Sequence, residues 1–400
     1  MASSAEDKEL ITLCSHDECT GCMACEGVCP KNAIITVFDE EGFRHPMIDH
    51  DACIRCHLCQ KTCPVLNPVD KNDDGEVYAA WSKDDGIRMK SSSGGLFSEL
   101  ALAVLNDGGK VVGASMFQDN MVRHIIVNTP EELSKLRGSK YVQSDLSREL
   151  YHEIGELLKQ GTTVLFSGTP CQVAGVLNMF KRYREQLITV DVVCHGVPSP
   201  LFYQDFANKL KKKYPNLVSY QFRDYERWLV CVNVNVNVNV NDKTIKRYLY
   251  GEDTFYQDAF LKGLLHRPNC YKCQYATIQR VSDITLADFW GIGKKIPIDP
   301  DYKRGTSMAS LNTEAGKRLF DRIKDGIFAT PRDIQETIDG GNEQLVKSSS
   351  KPEGRDDFYR DAKTMSVSKL VKKYHLSLRQ APPTKFGKIK RKIKKILLRN

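Results

Sequence analysis

The chain has 400 residues, 41% of them hydrophobic, 27% charged and 9% aromatic, which is ordinary globular usage and excludes a mainly disordered or collagenous protein. The length predicts two to three domains, and with neither a long uncharged apolar window nor a basic stretch leading into an apolar one, neither a membrane span nor a secretory leader is expected and a cytoplasmic location follows. Fourteen cysteines in such a chain favour metal or redox chemistry over disulfides, and the net charge of +8 is split between −8 over residues 1–75 and +16 over the remainder.

The first predicted domain, residues 1–70, holds an internal repeat. CTGCMACEGVCP begins at Cys19 and CIRCHLCQKTCP at Cys53, 34 residues later. Each is C-x2-C-x2-C-x3-C-P: three thiolates on one tight turn reach three corners of an iron-sulfur cubane, and the fourth cysteine serves the other cluster. One 4Fe-4S cluster is therefore expected on Cys19, Cys22, Cys25 and Cys63, and a second on Cys53, Cys56, Cys59 and Cys29. Two zinc sites would leave the paired C-P endings and the pseudosymmetry unexplained. At these residues the chain resembles a bacterial two-cluster ferredoxin. Between the repeats, IITVFDEEGFRHPMI reads as two short strands around a turn at 39–42, and the polar residues 67–76 read as a linker.

From residue 77 strands alternate with helices. SSSGG opens the helix LFSELALAVL, and GKVVGASMF with MVRHIIVNT reads as a hairpin. TTVLFSG into TPCQVAGVLNMF, and LITVDVVCHG into VPSPLFYQDFANKL, are two strand-turn-helix units, which predict a mainly parallel sheet with crossover helices. The expected class is thus α+β, a ferredoxin-like domain followed by an α/β body. The Val-Asn alternation of 229–241 reads as a half-buried strand whose register is poorly specified, paired with KTIKRYLY through a turn at Asp242 and Lys243.

Cys171 and Cys194 each fall just past the carboxyl end of a predicted parallel strand, where such sheets gather ligands. With the C-x2-C pair Cys270 and Cys273 they make four thiolates, enough for a third 4Fe-4S cluster; the other reading is two buried apolar cysteines beside a zinc-binding or unoccupied pair. Cys14 and Cys231 are left as plain side chains. The Ser/Gly run at 91–95 suits a cofactor phosphate at a helix N-terminus, although such runs also simply cap helices. No dinucleotide fingerprint is present, and His195 reads as loop structure.

The last segment, 350–400, reads as polar and helical with a basic end. Eight basic residues and no acid lie between Lys385 and Arg399, with Phe386, Ile389, Ile393, Ile396 and Leu397 on one helical face. Peripheral contact with an anionic membrane fits that pattern; a solvated tail, or docking on an acidic partner such as the chain's own front, fits equally. Nucleic acid is not an expected partner, since charge alone favours it.

KSSSGGLFSELA, LRGSKYVQSD, VLFSGTPCQVAG, DVVCHGVPSP, FRDYERW, RPNCYKCQYATIQRVSDITLADFWGI, RGTSM and RDDFY together resemble the coenzyme F-420 hydrogenase/dehydrogenase beta subunit family over about residues 77–360. The branch it resembles has a ferredoxin domain fused in front and is associated with bacterial surface polysaccharide gene sets; chlorophyll-pathway reductases are more distant. The resemblance implies an N-terminal family region at 77–160 and a C-terminal α/β region at 161–345. It also implies a flavin, expected to be FAD, close to the third cluster. Carried to this chain, Ser92, Ser93, Gly94 and Gly95 would line the flavin, with Lys140 and Tyr141 nearby and Ser167, Gly168, Thr169 and Pro170 as a second wall. Arg280, Asp283, Asp288, Trp290, Gly305, Thr306 and Ser307 are weaker cofactor or substrate candidates. The expected activity is an oxidoreductase that moves electrons between a one-electron carrier of ferredoxin type and a two-electron substrate or coenzyme. The alternatives are an electron-transfer subunit docked on a catalytic partner, and a biosynthetic accessory protein without its own substrate.

Overall fold

The computed structural model describes residues 10–226, 229–238 and 241–382. In the front segment each cysteine repeat wraps into the same turn. Gly21 and Met23 take φ of 68° and 58°, and their counterparts 34 residues on, Arg55 and His57, take 56° and 60°. Left-handed backbone costs a non-glycine residue roughly 1–2 kcal/mol, so its recurrence at matched positions marks a geometry imposed by what the loops surround. Each turn leads into a short helix, Ala24–Gly27 and Leu58–Thr62. Between them β1 (Ile34–Phe38) and β2 (Arg44–Ile48) pair antiparallel, Ile34 opposite Ile48. The reversal is at 39–42, where Asp39 N donates to Phe43 O (2.9 Å) and Gly42 takes φ +83°.

The body contains β3 (Glu76–Ser82), β4 (Lys110–Met116), β5 (Val122–Val127), β6 (Val164–Gly168), β7 (Leu187–Val192), β8 (Leu217–Gln221), β9 (Cys231–Val238), β10 (Asn241–Tyr248), β11 (Ile284–Asp288), β12 (Ser307–Leu311) and β13 (Ile327–Pro331). Eight of these form one sheet in the order β13-β3-β12-β11-β7-β6-β4-β5. The central run β11-β7-β6-β4 is parallel, while β5, β12 and β13 meet their neighbours antiparallel. The expected mainly parallel sheet is therefore mixed. Its cause is topological: β12 and β13 are joined across the helix Glu314–Arg322, and β3, arriving first in the chain, fills the slot between them. The hairpin β4-β5 and the helices Pro170–Met179 after β6 and Pro200–Lys213 after β7 have the order read from the sequence.

Strands β8, β9 and β10 make a second, antiparallel sheet in the order β10-β9-β8. Val232 and Val234 are buried against Leu210 and Leu249. The register that alternating Val and Asn leave open is fixed by polar neighbours: Asn233 Nδ2 donates to Ser219 Oγ (2.8 Å) and Thr244 Oγ1 donates to Asn235 Oδ1 (2.7 Å). The expected turn at Asp242 and Lys243 is corrected. Those residues lie within β10, opposite Asn237 and Val236, in the register that sets Ile245 opposite Val234 and bonds Thr244 to Asn235.

One face of the main sheet is covered by the helices Leu96–Asn106 and Glu314–Arg322, the other by Arg148–Lys159 and Pro170–Met179. The front segment packs on this second face, where Cys22 and Ala24 join the core of Tyr151, Val173, Ala174 and Tyr275. The stretch expected as a linker is strapped down as well: Asn72 bonds the carbonyls of Arg280 and Ser282, and Lys71 Nζ donates to Gln274 O (2.8 Å). The helices Arg355–Thr364 and Val367–Lys373 bury Phe358, Tyr359 and Leu370 in an aromatic core with Phe202, Tyr203 and Phe255. The basic run from Lys385 to Arg399 lies outside the described residues. No described helix is long and apolar enough to cross a membrane.

Candidate redox site

The two left-handed turns aim their cysteines inward. Cys19, Cys22, Cys25 and Cys63 line one hollow, of about 320 Å³ including its mouth. Cys29, Cys53, Cys56 and Cys59 line the other, of about 360 Å³. In each, the fourth cysteine comes from the opposite repeat. The donor sets fit cubane clusters: each has four thiols, three from one turn and the fourth from the other repeat, which is the crossed ligation of two-cluster ferredoxins. The two hollows differ in exposure. All four cysteines of the first are buried, while Cys56 of the second is exposed beside the exposed Ile54 and Leu58.

The body grips the loops of the inner hollow through their carbonyls. Tyr151 Oη donates to Cys22 O (2.7 Å), Arg267 Nε to Cys19 O (2.6 Å) and Gln143 Nε2 to Thr20 O (3.0 Å). Arg148 reaches Ile34 O (2.5 Å), and Arg44 pairs with Asp145 at 3.0 Å. Gly175 makes a close approach: a Cβ there would stand 3.1 Å from Cys22 Sγ and 3.2 Å from Ala24 Cβ. Glycine costs a helix interior about 1 kcal/mol relative to alanine, and here it admits the inner hollow against the helix that begins with Pro170 and Cys171.

That helix opens on a capping box of Thr169 and Gln172, with Thr169 Oγ1 3.2 Å from Cys171 Sγ. Cys194 follows β7, and Cys270 lies within a 3-10 turn, Pro268–Lys272, that Cys273 ends, Cys270 N donating to Arg267 O (2.9 Å). The four converge. Burial pushes the Cys194 and Cys270 thiols up to about 12 and raises Cys171, and in each case negative charge on others of the set raises the thiol further. Cys22 is close enough to add to this effect at Cys171. Thiols so placed stay neutral until a metal displaces their protons. Arg280 holds the loop after Cys273, donating to Asp191 Oδ2 (2.9 Å) and Tyr275 O (2.8 Å) while fully buried. Asp283 is likewise committed inside the sheet, to Thr189, Arg184 and Thr313.

The Ser/Gly loop lies beside the carboxyl end of β3. Ser92 Oγ accepts from Ser139 N (2.8 Å), which ties it to the segment carrying Lys140 and Tyr141; Ser93 Oγ donates to Thr306 O (3.0 Å) and Gly94 N to Ser307 Oγ (3.0 Å). A Cβ on Gly94 would meet Ala80 O at 2.5 Å, so only glycine fits. Gly95, at φ +90°, caps the helix Leu96–Asn106, whose first N–H groups lack intrahelical partners. Burial lowers the Lys140 ammonium to about 7, and its Nζ donates to Leu136 O (2.8 Å) and Arg137 O (2.9 Å). Tyr141 stacks on Phe260 at 5.0 Å. Ser167, Gly168, Thr169 and Pro170 leave β6 at the same sheet edge, with His124 Nε2 2.9 Å from Ser167 O. Asp288 pairs with Arg223, which also lies 5.3 Å from the half-exposed Trp290 ring. Tyr151 and Arg148 belong to no motif and were not legible as site residues; Arg267 opens the RPNCYKC stretch three residues before Cys270, but its hold on Cys19 O was not legible.

Residues 77–150 match the family described as coenzyme F420 hydrogenase/dehydrogenase, beta subunit N-term, and residues 161–337 match the C terminus of the same subunit. Residues 18–67 match the 4Fe-4S dicluster domain. No curated protein matches the chain. Among solved structures it resembles a chain of the F420-reducing [NiFe] hydrogenase complex from Methanosarcina barkeri, a xenon derivative, at 17% identity over 72% of this chain and 98% of that one. The TM-score is 0.44, a likeness too loose to carry an argument about the site.

Proposed function

Since the chain belongs to the coenzyme F420 hydrogenase/dehydrogenase beta subunit family and carries a 4Fe-4S dicluster domain at its front, we propose that it is an iron-sulfur flavoprotein linking a one-electron carrier protein to a two-electron substrate or coenzyme. The observation that carries this reading is the seating of Cys22 on Gly175, which puts the inner thiol set against the helix presenting Cys171. Bound clusters would supply one-electron storage, and a bound flavin the exchange between single electrons and a hydride. In this reading Cys19, Cys22, Cys25 and Cys63 hold the inner cluster, Cys29, Cys53, Cys56 and Cys59 the outer, and Cys171, Cys194, Cys270 and Cys273 a third. Arg148, Tyr151, Gln143 and Arg267 hold the front domain at fixed separation from the body. The exposed Cys56, Ile54 and Leu58 form the face open to the carrier. Ser92, Ser93, Gly94 and Gly95, with Lys140, Tyr141 and the loop at 167–170, line a flavin at the carboxyl edge of the sheet, its phosphates toward the N-terminus of the helix Leu96–Asn106.

A second reading, an electron-transfer subunit without its own substrate, draws on the family's description as beta subunits. Iron, acid-labile sulfide and released flavin per chain test the first. About 12 irons with one flavin after anaerobic reconstitution supports three clusters and a flavin; about 8 irons without flavin would reduce the body to a scaffold for a ferredoxin. Assay with a reduced one-electron carrier, with and without added partner subunits, separates the two readings.

A further inference from the structure

Cys14 falls outside both repeats, yet the fold brings it to the inner hollow. It lines that hollow together with Cys19, Cys22, Cys25 and Cys63, and its Sγ lies 4.0 Å from Cys63 Sγ. Five thiols thus face a space where a cubane needs four. The chain pins Cys14 on both sides. Before it, Ile11 is buried with Cys25, Ile34 and Cys59, and Thr12 O accepts from Gln60 Nε2 (2.9 Å). After it, Ser15 O accepts from Cys19 N (3.0 Å) and Glu18 N (3.2 Å). Cys14 is also less buried than Cys63. It is therefore a placed thiol beside the position Cys63 fills.

We propose that Cys14 is a reserve ligand of the inner cluster, exchanging with Cys63, the one ligand the second repeat contributes. The proposal rests on the inner hollow holding a 4Fe-4S cluster, as argued above. The exchange balances without an oxidant: one iron–sulfur bond to Cys63 breaks, one to Cys14 forms, and the proton leaving the Cys14 thiol is taken up by the freed Cys63 thiolate. Iron keeps its oxidation state, and the inner cluster stays bound while its covalent tie to the second repeat is released.

The test uses the full-length chain, reconstituted anaerobically with ferrous iron and sulfide, as the native form, Cys63→Ala, Cys14→Ala, the double variant and Cys25→Ala. Cys14→Ala and Cys63→Ala should each keep native iron and sulfide per chain, the latter with an altered electron paramagnetic resonance signal. The double variant and Cys25→Ala should each lose about four irons. If Cys63→Ala alone loses as much iron as the double variant, the exchange does not occur. A native chain that takes up no cluster in this hollow would overturn the underlying reading as well, so the two failures are distinguishable. Alkylation of the loaded chains, mapped by mass, gives a readout that does not depend on iron yield: Cys14 should react in the native chain and become protected in Cys63→Ala. Continued reaction of Cys14 in loaded Cys63→Ala would overturn the proposal.

Discussion

Arg267 joins the front domain to the body within one side chain. Fully buried, it donates to Cys19 O, reaches Gln143 Oε1 (3.3 Å) and His45 Nε2 (2.9 Å), and lies 5.4 Å from the Phe43 ring. Its own carbonyl accepts from Cys270 N. Hydrogen bonds from a charged donor contribute about 1.5–3 kcal/mol each, and an orphaned buried acceptor costs a similar amount. Arg267→Ala is expected to lower stability by about 3 kcal/mol in denaturant titration, and Arg267→Lys to recover little, because an ammonium cannot span the fork. A second residue gives a pH signature. Burial drops the His124 ring to about 4, below its ordinary 6.5, so between those values the unfolded chain holds a proton that the folded chain does not. Stability should fall as pH drops from about 6.5 to about 4, and His124→Gln should flatten that limb by up to about 3 kcal/mol, read by denaturation at several pH values. The cysteine sets were legible at this scale because turn spacing is local. Arg267 and Cys14 were not, since their meaning depends on which distant loop arrives beside them.

At the scale of elements, the helix Pro170–Met179 is both a wall of the sheet and the seat of the front domain. Its sequence reads as a crossover helix of a strand-turn-helix unit, and nothing in PCQVAGVLNM announces that Gly175 carries Cys22. Gly175→Leu should keep the body folded and push the inner hollow away. The expected result is near-native circular dichroism with slowed reoxidation of the front domain's clusters by an acceptor acting at the body; unchanged transfer would mean that the contact does not serve as the junction. The mixed sheet shows the complementary limit. Strand patterning gave the parallel centre, whereas the insertion of β3 between β12 and β13 pairs Glu76–Ser82 with strands more than 200 residues away, which no local pattern encodes. Likewise the hairpin β9-β10 was visible, but its reversal is earlier than the turn residues Asp242 and Lys243 advertise, because the ladder and the Asn235–Thr244 bond decide register.

At the scale of the molecule, composition divides the chain into an acidic front and a basic body, which invites a picture of a tethered ferredoxin. The fold contradicts the tether. Arg44–Asp145 and Arg355–Glu41 are ion pairs that cross the boundary with the arginine buried, Arg355 Nη2 reaching Glu41 Oε2 at 2.7 Å, and the segment 70–74 is bonded to the loop 274–282. Separation of the two parts would expose the apolar contacts of Cys22, Ala24 and Tyr151 to water and break the hydrogen bonds of Tyr151, Arg267 and Gln143 to the front carbonyls. Separation should therefore not precede unfolding. The loaded chain is expected to lose its cluster absorbance and its far-ultraviolet circular dichroism at one coincident denaturant midpoint, as two-state behaviour requires. Removal of iron by a chelator should shift that midpoint down, because a group that binds only the folded chain stabilises it. Two separate transitions, with cluster absorbance lost first and the body intact, would mean that the front domain opens as a unit, and the fixed separation from inner thiols to the Cys171 set on which the electron-transfer reading depends would no longer hold.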